Sequence, residues 1–363
     1  MNQAIILAIN PGSTSTKLAV FKDDQKLFDA SLSHSVDELG HFSRIIDQEE
    51  FRTRLVLDFL EHNHFDMNTL TAVVGRGGLL PPLESGTYRV NHEMVKYLRE
   101  SNWEHASNLG ALIAIAIAGP AGIPAFIVDP VVVDEMHELA RITGVPEIRR
   151  VSILHALNQK AAAREAARML KKNYNACNLV VAHMGGGISI GAHQRGRIVD
   201  VNNALNGDGP FSPERAGSVP SWPLIEWALS GDLSRDELKK RITGKGGVVA
   251  HLGTNDMREV ERRVDQGDEK AEFILRAMAY GIAKEIGAMA TVMSGKVDAV
   301  VMTGGIAYDK RFVGWIRERT DFLAPAILLP GEDELRSLVL GGLRVLNGEE
   351  EAREWSLNHS NPF

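Results

Sequence analysis

The sequence has 363 residues, 44% of them apolar and 24% charged, with a net charge of −7. That length exceeds one comfortable hydrophobic core and predicts about two domains. The composition is that of a soluble globular chain, and the negative balance argues against a nucleic-acid partner.

The chain opens on MNQAIILAIN, an apolar strand over residues 4–10. No basic stretch or small-residue cleavage site precedes it, so no secretory signal is expected. The single cysteine, Cys177, cannot form an intrachain disulfide and fits a reducing compartment, so the expected location is the cytoplasm. A small-residue loop over 11–15 leads to a second strand over 17–21 and a turn at Asp23-Asp24. This is a hairpin with a polar tip, not the strand–loop–helix of a P-loop. Residues 109–128 carry no charge and are long enough to span a bilayer. Gly119, Pro120, Gly122 and Pro124 interrupt them, which predicts a buried Ala-rich helix, a turn and a strand over 125–128, with no membrane association.

Helical patterns follow over 158–174, with Lys and Arg near the C-terminal end as the helix dipole favours, over 271–293 and over 333–347. The second half repeats the opening pattern. A strand over 179–183 leads into a glycine loop, 184–187, and a strand over 188–194. A turn at Arg195-Gly196 and a strand over 197–201 complete it. A short buried strand over 299–302 runs into Thr303-Gly304-Gly305. Recurrence of one supersecondary unit about 170 residues apart predicts two domains of related fold. Ordinary turns near 144–146 and near Pro330 are expected to join them.

Three loops have the chemistry of phosphate sites. In the first, Asn10 to Lys17, Gly12 permits close backbone approach, Ser13, Thr14 and Ser15 offer hydroxyls, and Lys17 offers a cation. The second is His183 followed by Met184 and the glycines Gly185, Gly186 and Gly187. The third, Gly304-Gly305-Ile306, follows a buried strand, a favoured place for a nucleotide in α/β proteins. Taken singly, each has an ordinary reading as a turn, and His183 as a core histidine. Arg76, Asp129 and Arg215 likewise read singly as surface cations and a turn former. Together they supply two guanidiniums for anionic oxygens and a carboxylate for a metal. His62 and His64 lack a third ligand at metal spacing and read as surface histidines.

These residues also carry a resemblance. The runs ILAINPGSTSTK and LVVAHMGGGISIGAHQRG resemble the two signatures of the acetate and butyrate kinases. EHASNLG around His105, IVDP around Asp129, PERAGS around Arg215 and TGGI at Thr303 match in the same order. The resemblance implies an α/β fold of two actin-like (ribonuclease H-like) domains with mixed sheets around a central cleft. Residues 1–145, joined by the C-terminal segment 333–363, would form the acid-binding domain, and 146–332 the nucleotide-binding domain. It implies ATP and Mg²⁺, a short-chain carboxylic acid as substrate, and a homodimer or larger homo-oligomer. Carried over residue by residue, Asn10, Gly12, Ser13, Ser15 and Lys17 belong to the first phosphate loop. Arg76 and Arg215 hold the acid and the transferring phosphoryl group, with His105 at the substrate. Asp129 places the metal or the acid, and His183 bonds phosphoryl oxygens. Gly185, Gly186 and Gly187 lie along the ATP phosphates, and Gly304, Gly305 and Ile306 near the adenosine. The family's C-terminal metal glutamates fall at Glu332-Asp333-Glu334, where the resemblance does not single out one acid; Glu334 is the candidate carried forward.

Departures narrow the substrate. The segment around Arg76 is short, VVGRGGLLPP, and a His-Gly-Thr-Ser-His run of acetate kinases is Val151-Ser-Ile-Leu-His155 here. Both favour the butyrate kinase branch, with Leu79, Leu80, Pro81 and Pro82 as candidates for an apolar acyl pocket. A carboxylate is already a nucleophile at neutral pH, so the task is to bring two anions together by charge neutralisation and in-line geometry. Alternatives are an acetate, propionate or branched-chain acid kinase, an actin-like ATPase that phosphorylates nothing, and a sugar kinase. The last needs a catalytic-base carboxylate, and the arginine pair argues against it.

Overall fold

The computed structural model describes residues 3–357; residues 1, 2 and 358–363, the last being the end of the segment 333–363 assigned above, lie outside the described residues. Contacts divide the chain into two units, Met1–Val133 with Asp333–Phe363, and Asp134–Glu332.

In the first unit, Ile5–Pro11 (β1), Ser15–Lys22 (β2) and Gln25–Ser33 (β3) form an antiparallel meander. The β2–β3 turn is Asp23-Asp24, with Asp23 at φ 53°, where a short polar side chain is tolerated. Ala72–Arg76 (β4) pairs parallel to β1 on its other side. Thr87–Arg89 (β5) and Ala125–Val128 (β6) extend that edge, β6 parallel to β4 and β5 antiparallel to β6. A final short strand, Arg353–Glu354, completes a seven-stranded sheet, with β3 at the far edge. The second unit has the same plan. Asn178–Met184 (β7), Ile188–Gln194 (β8) and Arg197–Val201 (β9) form a meander, and Ala299–Gly304 (β10) and Ala326–Pro330 (β11) add parallel strands beside β7. The β8–β9 turn, Arg195-Gly196, has φ 49° and 85°, the doubly positive hairpin turn that suits twisted strands. The expected duplication is therefore topological: each unit is a meander whose first strand takes a parallel neighbour.

Strand alternation explains how each sheet is covered. In the second unit, Val180, Ala182, Val300 and Met302 join the core under helix Glu269–Val292, while Leu179, Val181, Ala299 and Val301 meet the alanines of helix Ala156–Met169. Successive residues face opposite sides, so these cores lie on opposite faces of one sheet. Helix Ala156–Met169 stops short of the expected residue 174. Lys171 turns left-handed at φ 55°, and the Lys172 amide bonds back to the Ala167 carbonyl at 2.9 Å, a Schellman-type ending. The reversal seats Tyr174 on His193.

The uncharged stretch becomes helix Asn108–Ala118, a turn and β6. Nine of the helix's eleven residues are buried, so it is a core helix. No helix among the described residues is long and apolar enough to cross a membrane. The helix lies unusually close to β4. A Cβ on Gly75 would stand 2.0 Å from the Gly110 carbonyl oxygen, and one on Gly110 would stand 2.2 Å from that of Arg76. From the other face, Gly341 and Gly342 of helix Glu334–Leu346 seat against Val128 and Val74. Both helices thus bear on the end of β4, where Arg76 sits. Gly110→Ala is expected to lower stability by about 1–3 kcal/mol through overpacking, read as a fall in the urea midpoint; an unchanged midpoint would contradict this packing.

Candidate active site

Parallel pairing sets strand ends side by side. In the first unit the C-terminal ends of β1, β4 and β6 carry Asn10, Arg76 and Asp129. Arg76 Nη1 donates to Asn10 Oδ1 at 3.3 Å, and to Glu334 Oε1 in a very short contact. Asn10 Nδ2 donates to the other Glu334 oxygen. Glu334 is the first residue of its helix, behind the N-cap Asp333, so its carboxylate also faces the positive end of the helix dipole. Both Glu334 oxygens are therefore engaged by side chains of its own unit, and Arg76 already grips a carboxylate. His105 Nδ1 accepts from the Ser107 amide at 3.2 Å, which leaves its hydrogen on Nε2 when neutral. Burial, then the charge of Arg76, holds the His105 pKa below its ordinary value. Asp129, 2% exposed and at φ 39°, has Oδ1 bonded by Ser85 Oγ at 2.6 Å and by the Gly86 amide at 2.8 Å. Leu80 is buried, while Leu79, Pro81 and Pro82 are half-buried.

The first phosphate loop is organised from beneath by Arg52, a residue sequence reading missed. Arg52 is 1% exposed and stands on helix Glu49–His62. It donates to the carbonyls of Gly12 at 2.7 Å, Ser13 at 3.2 Å and Ser15 at 3.1 Å, and to Thr16 Oγ1 at 3.2 Å. Gln48 Oε1 holds the guanidinium in turn. In a planar trans peptide the N–H points opposite to the C=O. Turning the Gly12 and Ser13 carbonyls inward therefore turns the Ser13 and Thr14 amides outward, where an anion can meet them. Gly12 is half-buried, and Ser13, Thr14 and Lys17 are exposed. Burial pushes the Arg52 pKa down to about 10, so it stays a cation at neutral pH.

In the second unit the C-terminal ends of β7 and β10 meet at His183 and Thr303, which are register partners. His183, 2% exposed, must donate from Nδ1, because its partner there is Asn158 Oδ1 at 2.7 Å. Its Nε2 looks along the glycine loop: a Cβ on Gly185 would stand 3.1 Å from it, and Glu332 Oε2 lies 3.7 Å away. His155 stacks on His183 with ring centroids 3.9 Å apart and planes 16° apart. Gly304, at φ 89°, lies on the Met184 carbonyl, 2.4 Å from where its Cβ would be. Only glycine fits there, and it brings Gly304 and Gly305 beside the Gly185–Gly187 loop. The Ile306 side chain enters the hydrophobic core, so only its backbone can face a ligand.

Arg215 completes this unit's set. A Cβ on Gly187 would fall 1.8 Å from Arg215 Nη1 and 3.3 Å from His155 Cε1, so the absent side chain makes room for both heads. Nη1 donates to the Ala204 carbonyl. Nε is buried with no hydrogen-bond partner. Burial lowers the Arg215 pKa, and the neighbouring Glu214 opposes that only in part. A buried donor left unmet is costly, and an anionic oxygen would satisfy it.

The structure thus groups Asn10, Arg76, His105 and Glu334 in one unit, and His183, Gly185–Gly187, Arg215 and Gly304 in the other. Sequence reading passed over Arg52, Asn158 and the stacking role of His155. For the last two the signal is helical spacing: His155 and Asn158 are three residues apart and reach the same histidine. Arg52→Met removes a buried cation from six polar contacts and is expected to cost about 3 kcal/mol; a change below about 1 kcal/mol in urea unfolding would contradict the clamp.

Comparison with known proteins agrees with this layout. Residues 143–318 match the model of the Acetokinase family. Among solved structures, the acetate kinase of Porphyromonas gingivalis superposes with a TM-score of 0.78 at 20% identity, covering 94% of this chain and 100% of its own. A propionate kinase from Francisella tularensis subsp. tularensis SCHU S4 gives 0.73 at 19%, covering 93% and 98%. The acetate kinase of Entamoeba histolytica gives 0.76 at 14%, covering 95% and 100%. The stretch that bears His155, His183 and Arg215 therefore matches the Acetokinase family model, and the chain as a whole has the two-sheet, actin-like α/β fold of the solved acetate and propionate kinases.

Proposed function

We propose that this protein is an ATP-dependent kinase that phosphorylates the carboxylate of a short-chain fatty acid, with butyrate as the acid, by direct in-line transfer. The observation that carries the reading is Arg215: a half-buried guanidinium whose buried Nε lacks an acceptor, packed into the space left by Gly187. It is what a site for a transferring phosphoryl group needs before its ligand arrives. Arg76, whose side-chain partner is already a carboxylate, supports an acid as the acceptor. Butyrate rests on the short segment at Arg76 and on the run Val151-Ser-Ile-Leu-His155, which keeps one of the two histidines of the acetate kinase His-Gly-Thr-Ser-His run.

The donor set fits Mg²⁺. Asp129 and Glu334 offer hard oxygen ligands, and no group of three or more His, Cys, Asp or Glu among the described residues could hold a metal alone. Mg²⁺ is commonly held by one or two carboxylates together with substrate phosphates. When bound, the ion would neutralise phosphate charge; Asp129 and Glu334 would hold it. The first loop's outward amides and Lys17 would bind phosphate oxygens. Gly185–Gly187 would let the ATP phosphates approach the backbone, and Gly304 and Gly305 would border the nucleoside. Arg76, with His105 beside it, would hold the acid's carboxylate. Arg215 and His183 would take the charge that spreads over the equatorial oxygens as the phosphoryl group passes between the two. No general base is required. We place the enzyme in the cytoplasm, consistent with a buried free Cys177, and expect a homo-oligomer.

Acyl phosphate trapped as the hydroxamate, measured across the C2 to C5 acids, tests the reading. Butyrate should give the highest kcat/KM, with neighbours lower by about 10- to 200-fold per methylene. Highest turnover on acetate or propionate would move the assignment to the shorter acid; no product with any acid would favour an ATPase module. Arg215→Ala should lower kcat by about 100- to 1,000-fold while changing the KM for ATP far less. A near-normal kcat would remove Arg215 from the chemistry. Chelation of divalent ions should abolish turnover, and added Mg²⁺ restore it.

A further inference from the structure

One buried histidine of the first unit has no part in the roles above. His34 directly follows β3 and is 4% exposed. Its backbone N–H donates to the Thr14 carbonyl at 2.8 Å. Arg52 takes the carbonyls of Gly12, Ser13 and Ser15. Between them the two residues hold every carbonyl of the first phosphate loop from Gly12 to Ser15. The His34 ring reaches the same clamp. Its Nε2 lies 2.9 Å from Thr16 Oγ1, which in turn lies 3.2 Å from Arg52 Nη1. Thr16 is fully buried. Phe51 meets the ring edge-on, with centroids 5.6 Å apart, and Nδ1 is buried with no hydrogen-bond partner.

The shared hydroxyl fixes where the hydrogens lie. A guanidinium only donates, so Thr16 Oγ1 accepts from Arg52. The hydroxyl hydrogen then needs an acceptor, and His34 Nε2 is the one in reach. With Nε2 accepting, the neutral ring carries its hydrogen on Nδ1. The opposite tautomer would leave two buried groups unmet, the Thr16 hydrogen and the Nδ1 lone pair. This one leaves only Nδ1–H unmet. A proton added to the ring would fall on Nε2. Two cations would then point at one hydroxyl oxygen, and the Thr16 hydrogen would lose its acceptor. Burial, then the charge of Arg52, holds the His34 pKa below its ordinary value, and Glu38 of helix Val36–Gly40 opposes them. Arg52 and Glu38 are the charged groups that bear on the ring among the described residues. Thr16 of β2 and Phe51 of helix Glu49–His62, which also touch it, are uncharged.

We propose that His34 is a positioning residue of the first phosphate loop, and that the Thr16 hydroxyl it shares with Arg52 lets the loop take its anion-binding form only while the His34 ring is neutral. Protonation sets His34 against Arg52 and loosens the hold on the carbonyls, so the loop amides are no longer fixed outward. Linkage gives the sign. A ligand that needs the neutral ring lowers the His34 pKa further, so its affinity is full at high pH and falls as pH drops through the pKa of the free enzyme. Stability moves the same way: it is full above the ordinary histidine range and is lost as pH falls from there to the folded value. The inference rests on the reading of this loop as a phosphate site.

Long-range ¹H–¹⁵N titration of ¹⁵N-histidine-labelled enzyme reads both the tautomer and the pKa. His34 is assigned by its loss in His34→Gln or, if that variant does not fold, by its cross-peaks with the Phe51 ring. The expected neutral form is Nδ1–H, and ATP should lower the His34 pKa by about one unit, a factor of about ten in affinity. Calorimetric binding of ATP, measured above and below that pKa, gives the second readout. His34→Gln keeps an acceptor near the place of Nε2 and takes no proton. Above the pKa it should bind ATP within about three-fold of wild type; below it, wild type should lose about ten-fold more affinity than the variant. An Nε2–H pattern, a His34 pKa that ATP leaves unmoved, or equal pH dependence of the two proteins overturns the proposal and leaves the phosphate reading standing. A wild-type protein that binds no ATP overturns that reading and the proposal with it.

Discussion

Parallel pairing between a central strand and its crossover partner is the constraint on which the candidate site depends. Strands that run the same way end on the same side. In the first unit β1, β4 and β6 deliver Asn10, Arg76 and Asp129 to one end of the sheet. In the second, β7 and β10 deliver His183 and Gly304 to one end. The antiparallel hairpins then return the chain through the loops between β1 and β2 and between β7 and β8, so both glycine-bearing loops sit at those same ends. Residues scattered over more than half of the sequence need no further device to gather within each unit.

The gathered groups differ in how far their polarity is satisfied. Arg52 spends its donors on loop carbonyls, which leaves the loop amides outward. Arg76 holds the carboxylate of Glu334. Arg215 keeps one buried donor unmet. A fold selected for stability alone would avoid the last of these, since a buried unmet donor costs about 1–3 kcal/mol. In the role proposed for Arg215, facing a phosphoryl group that gathers charge, the same donor would be preorganised and need no reorientation during reaction.

Much of this was legible in the sequence because it was written locally. The β8 and β9 bounds follow from apolar runs and the Arg195-Gly196 turn, and the 109–128 stretch was resolved by its glycines and prolines. Arg76, His183 and Arg215 stood beside glycines whose need for space is itself a signal. The less legible residues are those whose meaning lies in partners distant in sequence. Arg52 sits in a charged helix, EEFRTRL, with nothing local to mark it as buried. Its role comes from carbonyls about 40 residues earlier. His155 and Ser189 are 34 residues apart and meet only because β8 lies against the start of helix Ala156–Met169. The helix end at Met169 was likewise illegible, because the left-handed turn at Lys171 interrupts an Ala- and Lys-rich run that favours continuation.

The glycine at 187 has a consequence for reading any mutational map of this protein. A methyl group there would occupy the space of Arg215 Nη1 and crowd the His155 ring. Alanine at that position would thus act at a distance of one side chain, displacing a cation rather than removing a group of its own. The resulting defect would resemble loss of the arginine, though the arginine is intact. Within this loop the informative change is the one that alters a head group in place, and the most conservative-looking substitution is the least conservative in effect.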